Sequence, residues 1–496
     1  MTSSGVSGVR AEEEEVADIG FRIVPPRDAG NGPGLGWRAA ALLAIAFVGS
    51  RLAYSAAGLR FRDDTIQYFA QLLDPPLLQS RLVESLWHLH AQPPLFNLLT
   101  GIALKCSPND PGFVLSPLYF AAGLATCLLL ASLLRRLGLP VWIASLLALL
   151  YACTPAFILY ENWYFYPHLE QVLLIAAAWC FLKDGVRAGA WLGCAFALLA
   201  ALVLLRSLFH PLFLVVATAA AAALFPRERR MRVIRLAAIP LAVVILWAVK
   251  NWFLFGFFGT SSWGGNSLHR MMTEIVPPER VESMISRGIL PPLSREWEFS
   301  TPEIYMEVLG RQADQDWHIA ALDQTKKTQT RENPVNYNHW IYPIASKVYA
   351  RAALRIMREE PGAYLRSIAW TAHRYLEPTT DDLFLQPNRY PIRGLARRWE
   401  AFESNFIVIL LGIAAVLAAI ITVLRRRGPS HERLFFAFTA GAVLWTAAAG
   451  ILFEFGENNR FRYPVQSLTY VLVIWLFREA SRRLRSRWEK APLLGE

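Results

Sequence analysis

Ten stretches of the chain are long, nearly uncharged and rich in Leu, Ala, Ile and Val: about 37–56, 113–134, 140–160, 167–183, 189–206, 209–225, 235–255, 403–424, 433–453 and 463–478. A helix needs about 20 mostly apolar residues to cross the hydrocarbon of a bilayer. These runs have helical lengths and none of the alternation of barrel strands, so the pattern predicts an all-α polytopic membrane protein with about ten transmembrane helices. Two polar intervals between them are long, 57–112 and 256–402. In the first, Ile66, Phe69, Ala70 and Leu73 fall at i, i+3, i+4 and i+7 and predict an amphipathic helix. After Pro93-Pro94, the run 95–104 is apolar but too short to span, which predicts a helix lying at the interface. In the second interval, Tyr349, Ala352, Ala353 and Ile356 form an apolar stripe, and Lys347, Arg351, Arg355 and Arg358 a basic one. A second helix over about 361–376 carries Leu365, Ile368, Ala369 and Ala372. The interval 256–402 thus reads as a mainly helical domain outside the bilayer. Residues 1–36, polar with several Gly and Pro, read as a disordered tail, and 479–496 as a basic tail.

Composition agrees with the pattern. Hydrophobic residues make up 54% of the 496 and charged residues 18%, against about 45–50% and 25% in soluble chains. The net charge of +11 raises the question of a nucleic-acid partner, and its placement answers it. Arg135 and Arg136, Lys183 and Arg187, Arg227 to Arg235, Arg425 to Arg427, and Arg478 onward follow every second run. The positive-inside rule puts those connections and both termini in the cytoplasm. It leaves 57–112, 161–166, 207–208, 256–402 and 454–462 on the extracytoplasmic face of a cell membrane. Five cysteines, an odd number with no CxxC pair, indicate neither a disulfide framework nor a zinc site. No P-loop, GxGxxG after a strand, HExxH or GxSxG occurs, so no nucleotide cofactor is expected.

Several outward residues have chemistry to offer. Asp63 and Asp64 are adjacent carboxylates just beyond the first run, as a general base or cation ligand would be; a solvated loop pair is the plainer alternative. Glu161 ends the third run on the same face, and Glu170 lies a turn into the next, where it is either functional or paired with Arg206 or Lys250. His90 precedes Ala91-Gln92-Pro93-Pro94, and Tyr68 follows the Asp pair; both are candidate substrate contacts. Arg460 and Arg462, in Asn459-Arg460-Phe461-Arg462-Tyr463-Pro464, run against the positive-inside trend, and guanidinium suits a lipid phosphate. Trp263, Trp317, Tyr337, His339, Trp340 and Tyr342 either stack on sugar rings or form an ordinary aromatic core.

An Asp pair after the first span, His90 to Phe96, the Arg135-Arg136 turn, the acidic end of the third span and the final Arg-Phe-Arg-Tyr-Pro together resemble the GT-C superfamily of polyprenyl-phosphate-dependent glycosyltransferases. The nearest pattern is that of protein O-mannosyltransferases, the lipid A aminoarabinose transferase and rhizobial galacturonosyltransferases. The resemblance covers about 37–255 and, more loosely, the last span 463–478 within 403–478; the domain 256–402 is outside it. It implies a GT-C-like bundle and an inverting sugar transfer from a polyprenyl-phosphate donor to a hydroxyl of a glycolipid, polysaccharide or protein. It implies Asp63 as the base, Asp64 beside it, Glu161 as a second carboxylate, and Arg460 or Arg462 on the lipid phosphate. A divalent cation, Mn²⁺ or Mg²⁺, held by Asp63 and Glu161 would fit the same scheme. Ala91-Gln92 stands where relatives have a His or Lys before the prolines, a departure at His90. The competing class is a secondary transporter or lipid flippase, supported by Glu170, Arg206 and Lys250 and opposed by the lack of an internal repeat.

Overall fold

A computed structural model describes residues 34–183, 189–311, 317–328, 334–425 and 430–488. Most of the expected N-terminal tail, Arg187, Arg426, Arg427 and Lys490 lie outside the described residues. Among those described there is no strand longer than an isolated bridge, and the protein is all-α.

Each of the ten apolar runs forms helix: Trp37–Ala56, Gly112–Arg136, Val141–Ala152 with Pro155–Glu161, Tyr166–Lys183, Ala190–Leu205, Pro211–Leu224, Arg227–Phe255, Phe406–Leu424, Ser430–Phe453 and Tyr463–Trp488. Five of them are long and apolar enough to cross a membrane alone, and the broken third is a sixth if counted as one span. Ala190–Leu205 and Pro211–Leu224 are only 16 and 14 residues long. At 1.5 Å per residue they measure about 24 and 21 Å, short of the roughly 30 Å of hydrocarbon. The ten expected runs are thus apolar helices of unequal length. The third run bends by 63° because Pro155 starts a new helix at its first position. The Thr154 hydroxyl caps that helix by accepting the Phe157 N–H at 3.4 Å.

The main core lies where Gly112–Arg136, Tyr166–Lys183, Ala190–Leu205, Ser430–Phe453 and Tyr463–Trp488 meet, with Phe181, Phe196, Phe435 and Trp475 buried. The helix Trp37–Ala56 sits at the edge of the bundle and leaves Trp37, Leu42, Ile45 and Leu52 exposed along an apolar flank. Several basic residues gather at one end of the bundle. Gly138, at φ +89°, leaves the space its side chain would fill to the guanidinium of Arg478, and Gly189, at φ +120°, does the same for Arg232. The two long polar intervals cap the other end.

The amphipathic helix expected after Asp63 is not formed. Only a single 3₁₀ turn, Asp64–Gln67, follows it. Ile66, Phe69 and Leu73 are buried all the same, Ile66 and Phe69 in a cluster with Trp163 and Phe165 and Leu73 in another with Leu78 and Leu89, and the backbone around them is paired outside a helix. The Leu73 N–H donates to Asn97 Oδ1 at 2.8 Å and the Phe69 carbonyl accepts Lys327 Nζ at 2.9 Å. Pro94–Cys106 is helical as expected. In 256–402, Ile341–Glu359 buries Tyr349, Ala352, Ala353 and Ile356 and turns its basic stripe outward. Pro361–Leu376 is turned the other way from its apolar pattern. It packs through Ala363, Ser367, Thr371 and Tyr375, with Thr371 Oγ1 donating to the Ile451 carbonyl at 2.8 Å, while Leu365 is 67% exposed. Trp263, Tyr337, Trp340 and Tyr342 are buried in a local aromatic core, with buried His339 on the Trp340 ring, so these five are core and not a sugar-stacking surface; Trp317 alone of the six is exposed.

Candidate functional site

Three segments remote in sequence meet around residues 60–64. The Arg62 N–H donates to the Asn162 carbonyl at 3.0 Å, and the Tyr164 N–H donates to the Arg62 carbonyl at 2.9 Å. The Thr65 hydroxyl adds a bond to the Tyr164 carbonyl at 2.8 Å. Asn388 completes the junction, accepting the Arg60 N–H at 3.1 Å and donating to the Arg60 carbonyl at 2.7 Å. The loop after the first helix is therefore held by the end of the third run and by the 256–402 interval.

The two aspartates are placed differently. Asp64 is partly exposed and forms an ion pair with Arg62 at 2.5 Å. Asp63 is half-buried, and among the described residues no cation pairs with it. Its carboxylate lies against Gly112, where a Cβ would stand 2.9 Å from Oδ2, and beside Asp110. Burial is the largest cause that raises its pKa above the usual carboxylate value. The charges of Asp110 and Asp64 add to it, and the Gly112 N–H works against it. A carboxylate that costs energy to keep charged is a proton acceptor in wait.

Glu161 has a partner that adjacency along the chain could not supply. Arg51, from the first helix, grips it through Nε–Oε1 at 2.9 Å and Nη2–Oε2 at 2.6 Å, and both side chains are nearly buried. The Arg51 guanidinium also lies 3.6 Å from the Phe47 ring centroid. This pair forms one wall of a cavity of about 190 Å³, whose other polar lining is Tyr54, Ser55, Arg60, Ser116 and Asn162. The cavity sits between the last turn of Trp37–Ala56 and the first turns of Gly112–Arg136, beside the exposed apolar flank. Arg60 Nη1 is anchored on the carbonyls of Ser55 and Leu59 at 2.6 and 2.8 Å.

A cation shared by Asp63 and Glu161 does not fit these donors. Both Glu161 oxygens are taken by Arg51, and no group of three or more His, Cys, Asp or Glu side chains is arranged to hold a metal among the described residues. Glu170 is fully buried and bound to Arg206 Nη1 at 3.0 and 3.2 Å. Lys250 Nζ donates to the carbonyls of Trp87 and Leu89, each at 2.9 Å. His90 is buried, with Nδ1 3.0 Å from Ser262 Oγ; burial first, and Lys250 second, hold its pKa down to about 3. Tyr68 stacks on Phe384 at 5.8 Å.

The last-span arginines are engaged as well. Arg460 is buried, pairs with Glu457 and stands 5.1 Å from the Phe165 ring centroid. Arg462 Nη2 donates to the Glu377 carbonyl at 2.8 Å. No contact joins either of them to Asp63 among the described residues. Arg51, Arg60 and Asp110 were not singled out from the sequence. Of these, Arg51 alone carries a signal, as a charge well inside an apolar run.

No family model matches the chain, and no curated protein matches it. Among solved structures it is similar to the crystal structure of ArnT from Cupriavidus metallidurans bound to undecaprenyl phosphate. That likeness is distant. The TM-score is 0.31 and the identity 12%, over 91% of this chain and 81% of the other.

Proposed function

We propose that the chain is a glycosyltransferase of the cell membrane that passes a sugar from a polyprenyl-phosphate donor to a hydroxyl of a glycolipid, polysaccharide or protein on the extracytoplasmic face, with inversion. The observation that carries this is Asp63: a half-buried carboxylate of raised pKa with no cation on it among the described residues, two positions along the chain from Phe61, which lines the polar cavity. The charge pattern of the loops supports the orientation, with both termini cytoplasmic. The ArnT structure holds undecaprenyl phosphate, a lipid of the donor's class; the proposal rests on Asp63 and its surroundings instead.

In this reading the polyprenyl tail lies along the exposed side of Trp37–Ala56 and the sugar phosphate occupies the cavity. Asp63 accepts the proton of the acceptor hydroxyl while that oxygen bonds to the anomeric carbon. The bond from the anomeric carbon to the phosphate oxygen breaks, and its electron pair leaves with the polyprenyl phosphate. The charge that develops there needs a fixed cation. Arg60 lines the cavity, held there by the carbonyls of Ser55 and Leu59, whereas Arg460, paired with Glu457, and Arg462, on the Glu377 carbonyl, are not part of its lining. Arg51 and Glu161 position the wall as a neutral pair. The ionisable residues that would favour a transporter are satisfied within the protein, Glu170 by Arg206 and Lys250 by two carbonyls.

The test is a transfer assay with purified protein, a labelled polyprenyl-phosphate sugar and a cell-envelope extract as acceptor. Asp63→Asn is expected to keep expression and donor binding and to lose transfer. Lipid movement across liposomes without any transfer product would contradict the proposal.

A further inference from the structure

The 256–402 interval re-enters the apolar region through a short helix, Arg393–Glu403, followed after Ser404 and Asn405 by Phe406–Leu424. Both carboxylates of the short helix are used inside the protein. Glu400 receives a fork from Arg389, with Nε–Oε1 and Nη2–Oε2 each at 2.8 Å, and the Thr380 hydroxyl at 3.0 Å. Glu403 is buried and accepts the Thr379 N–H at 2.9 Å and the amide of Gln466. Its three arginines are not used in this way. Arg393, Arg397 and Arg398 are exposed, and none makes an ion pair among the described residues; Arg393 only leans on the Tyr390 ring at 5.5 Å.

Helical geometry sorts the outer face. Arg393 and Arg397, four apart, share one edge; Leu395 and Phe402, seven apart, share the other; Arg398 lies between. The apolar edge is exposed, 44% at Leu395 and 52% at Phe402, and continues into Phe406 and Ile407, 70% and 66% exposed, on the next helix. An apolar edge continuous with a membrane helix, beside a basic edge, is the pattern of a helix lying at the bilayer surface. There the arginine stems cover apolar surface while the guanidinium groups reach phosphate oxygens. The same segment adjoins the cavity, since Asn388 holds Arg60 and Pro391 lies against Gly58.

We propose that Arg393, Arg397 and Arg398 form a platform that binds the phosphate of anionic phospholipid headgroups in the leaflet next to the cavity. Native mass spectrometry of the full chain, titrated with phosphatidylglycerol or phosphatidylcholine, tests this without any reading of enzymatic activity. Wild type is expected to retain phosphatidylglycerol in preference to phosphatidylcholine, and about 0.5 M salt to weaken that preference because the charges are exposed. R393Q/R397Q/R398Q is expected to bind phosphatidylglycerol about hundredfold more weakly, and R397Q alone about fivefold, while binding of phosphatidylcholine stays the same. Melting in a zwitterionic detergent checks that the variants are folded, and if the triple variant is not, R397Q decides. Equal retention by wild type and variant, or no preference in wild type, would overturn the proposal. So would a loss confined to undecaprenyl phosphate, titrated as a third lipid in the same experiment, which would make the platform part of the donor site.

Discussion

The buried pair between Arg51 and Glu161 ties an otherwise loosely held first helix to the bundle. Replacing Arg51 by Met keeps most of the side-chain volume but leaves a carboxylate of 4% exposure without its cation. Breaking one side of a buried pair costs about 3–5 kcal/mol. Glu161→Gln is milder, about 1–3 kcal/mol, because Arg51 keeps the Ser50 hydroxyl at 2.8 Å and the Phe47 ring. The double variant R51M/E161Q removes both charges and is expected to be more stable than R51M alone, with a coupling of about 2 kcal/mol or more. Gly123→Ala probes the same spot by shape, since a Cβ there would overlap Glu161 Oε2; it is expected to be destabilising in wild type and less so in R51M/E161Q. Reversible unfolding in mixed micelles with rising SDS gives the four stabilities. Strictly additive effects of R51M and E161Q would refute the pair as a structural tie. So would an E161Q protein of wild-type stability that had lost transfer, which would return Glu161 to the catalytic group.

Four further outcomes follow from the site. Because burial raises the Asp63 pKa, the acidic limb of a transfer–pH profile should lie at higher pH than the titration of an ordinary exposed aspartate, and a limb at or below that of an exposed aspartate would contradict it. By linkage, a raised carboxyl pKa removes stability as pH rises from the unfolded to the folded pKa, so Asp63→Asn should melt no lower than wild type at neutral pH; a clearly lower melting point would show a structural role. Arg60→Gln should reduce transfer by about hundredfold with less effect on donor binding, checked by separate kcat and KM values. His90, held neutral by burial, should show no imidazole titration by NMR between about pH 5 and 8, whereas a midpoint in that window would place it in contact with solvent or substrate.

The positions of the helices were readable because apolar length is a local property, and each of the ten runs is helical. The break at Thr154-Pro155 lies inside a run long enough to span, so apolar length alone conceals it. The turn after Asp63 was misread for a tertiary reason. Ile66, Phe69 and Leu73 have helical spacing, yet Asn97 and Lys327 take their backbone groups. Leu365 and Ile368 misled in the other direction: on a protein that meets lipid, an apolar stripe can face outward and the smaller Ala363, Ser367 and Thr371 can form the packed side. The Asp63–Asp64 pair was visible as a motif, but the difference between its members was not. That difference depends on Arg62 reaching Asp64 and on Asp110 and Gly112, nearly fifty residues away, closing over Asp63. Arg51 meets Glu161 across 110 positions, a contact that only the fold creates.

The central claim is that Asp63 is the base of a sugar transfer from a lipid-linked donor. The most direct measurement is the single-turnover rate of label transfer from a polyprenyl-phosphate sugar by wild type, Asp63→Asn and Asp64→Asn, each with donor binding measured in parallel. The account predicts that all three bind donor, that Asp64→Asn retains most of the rate, and that Asp63→Asn loses it by at least about hundredfold. Transfer by Asp63→Asn at the wild-type rate would contradict it.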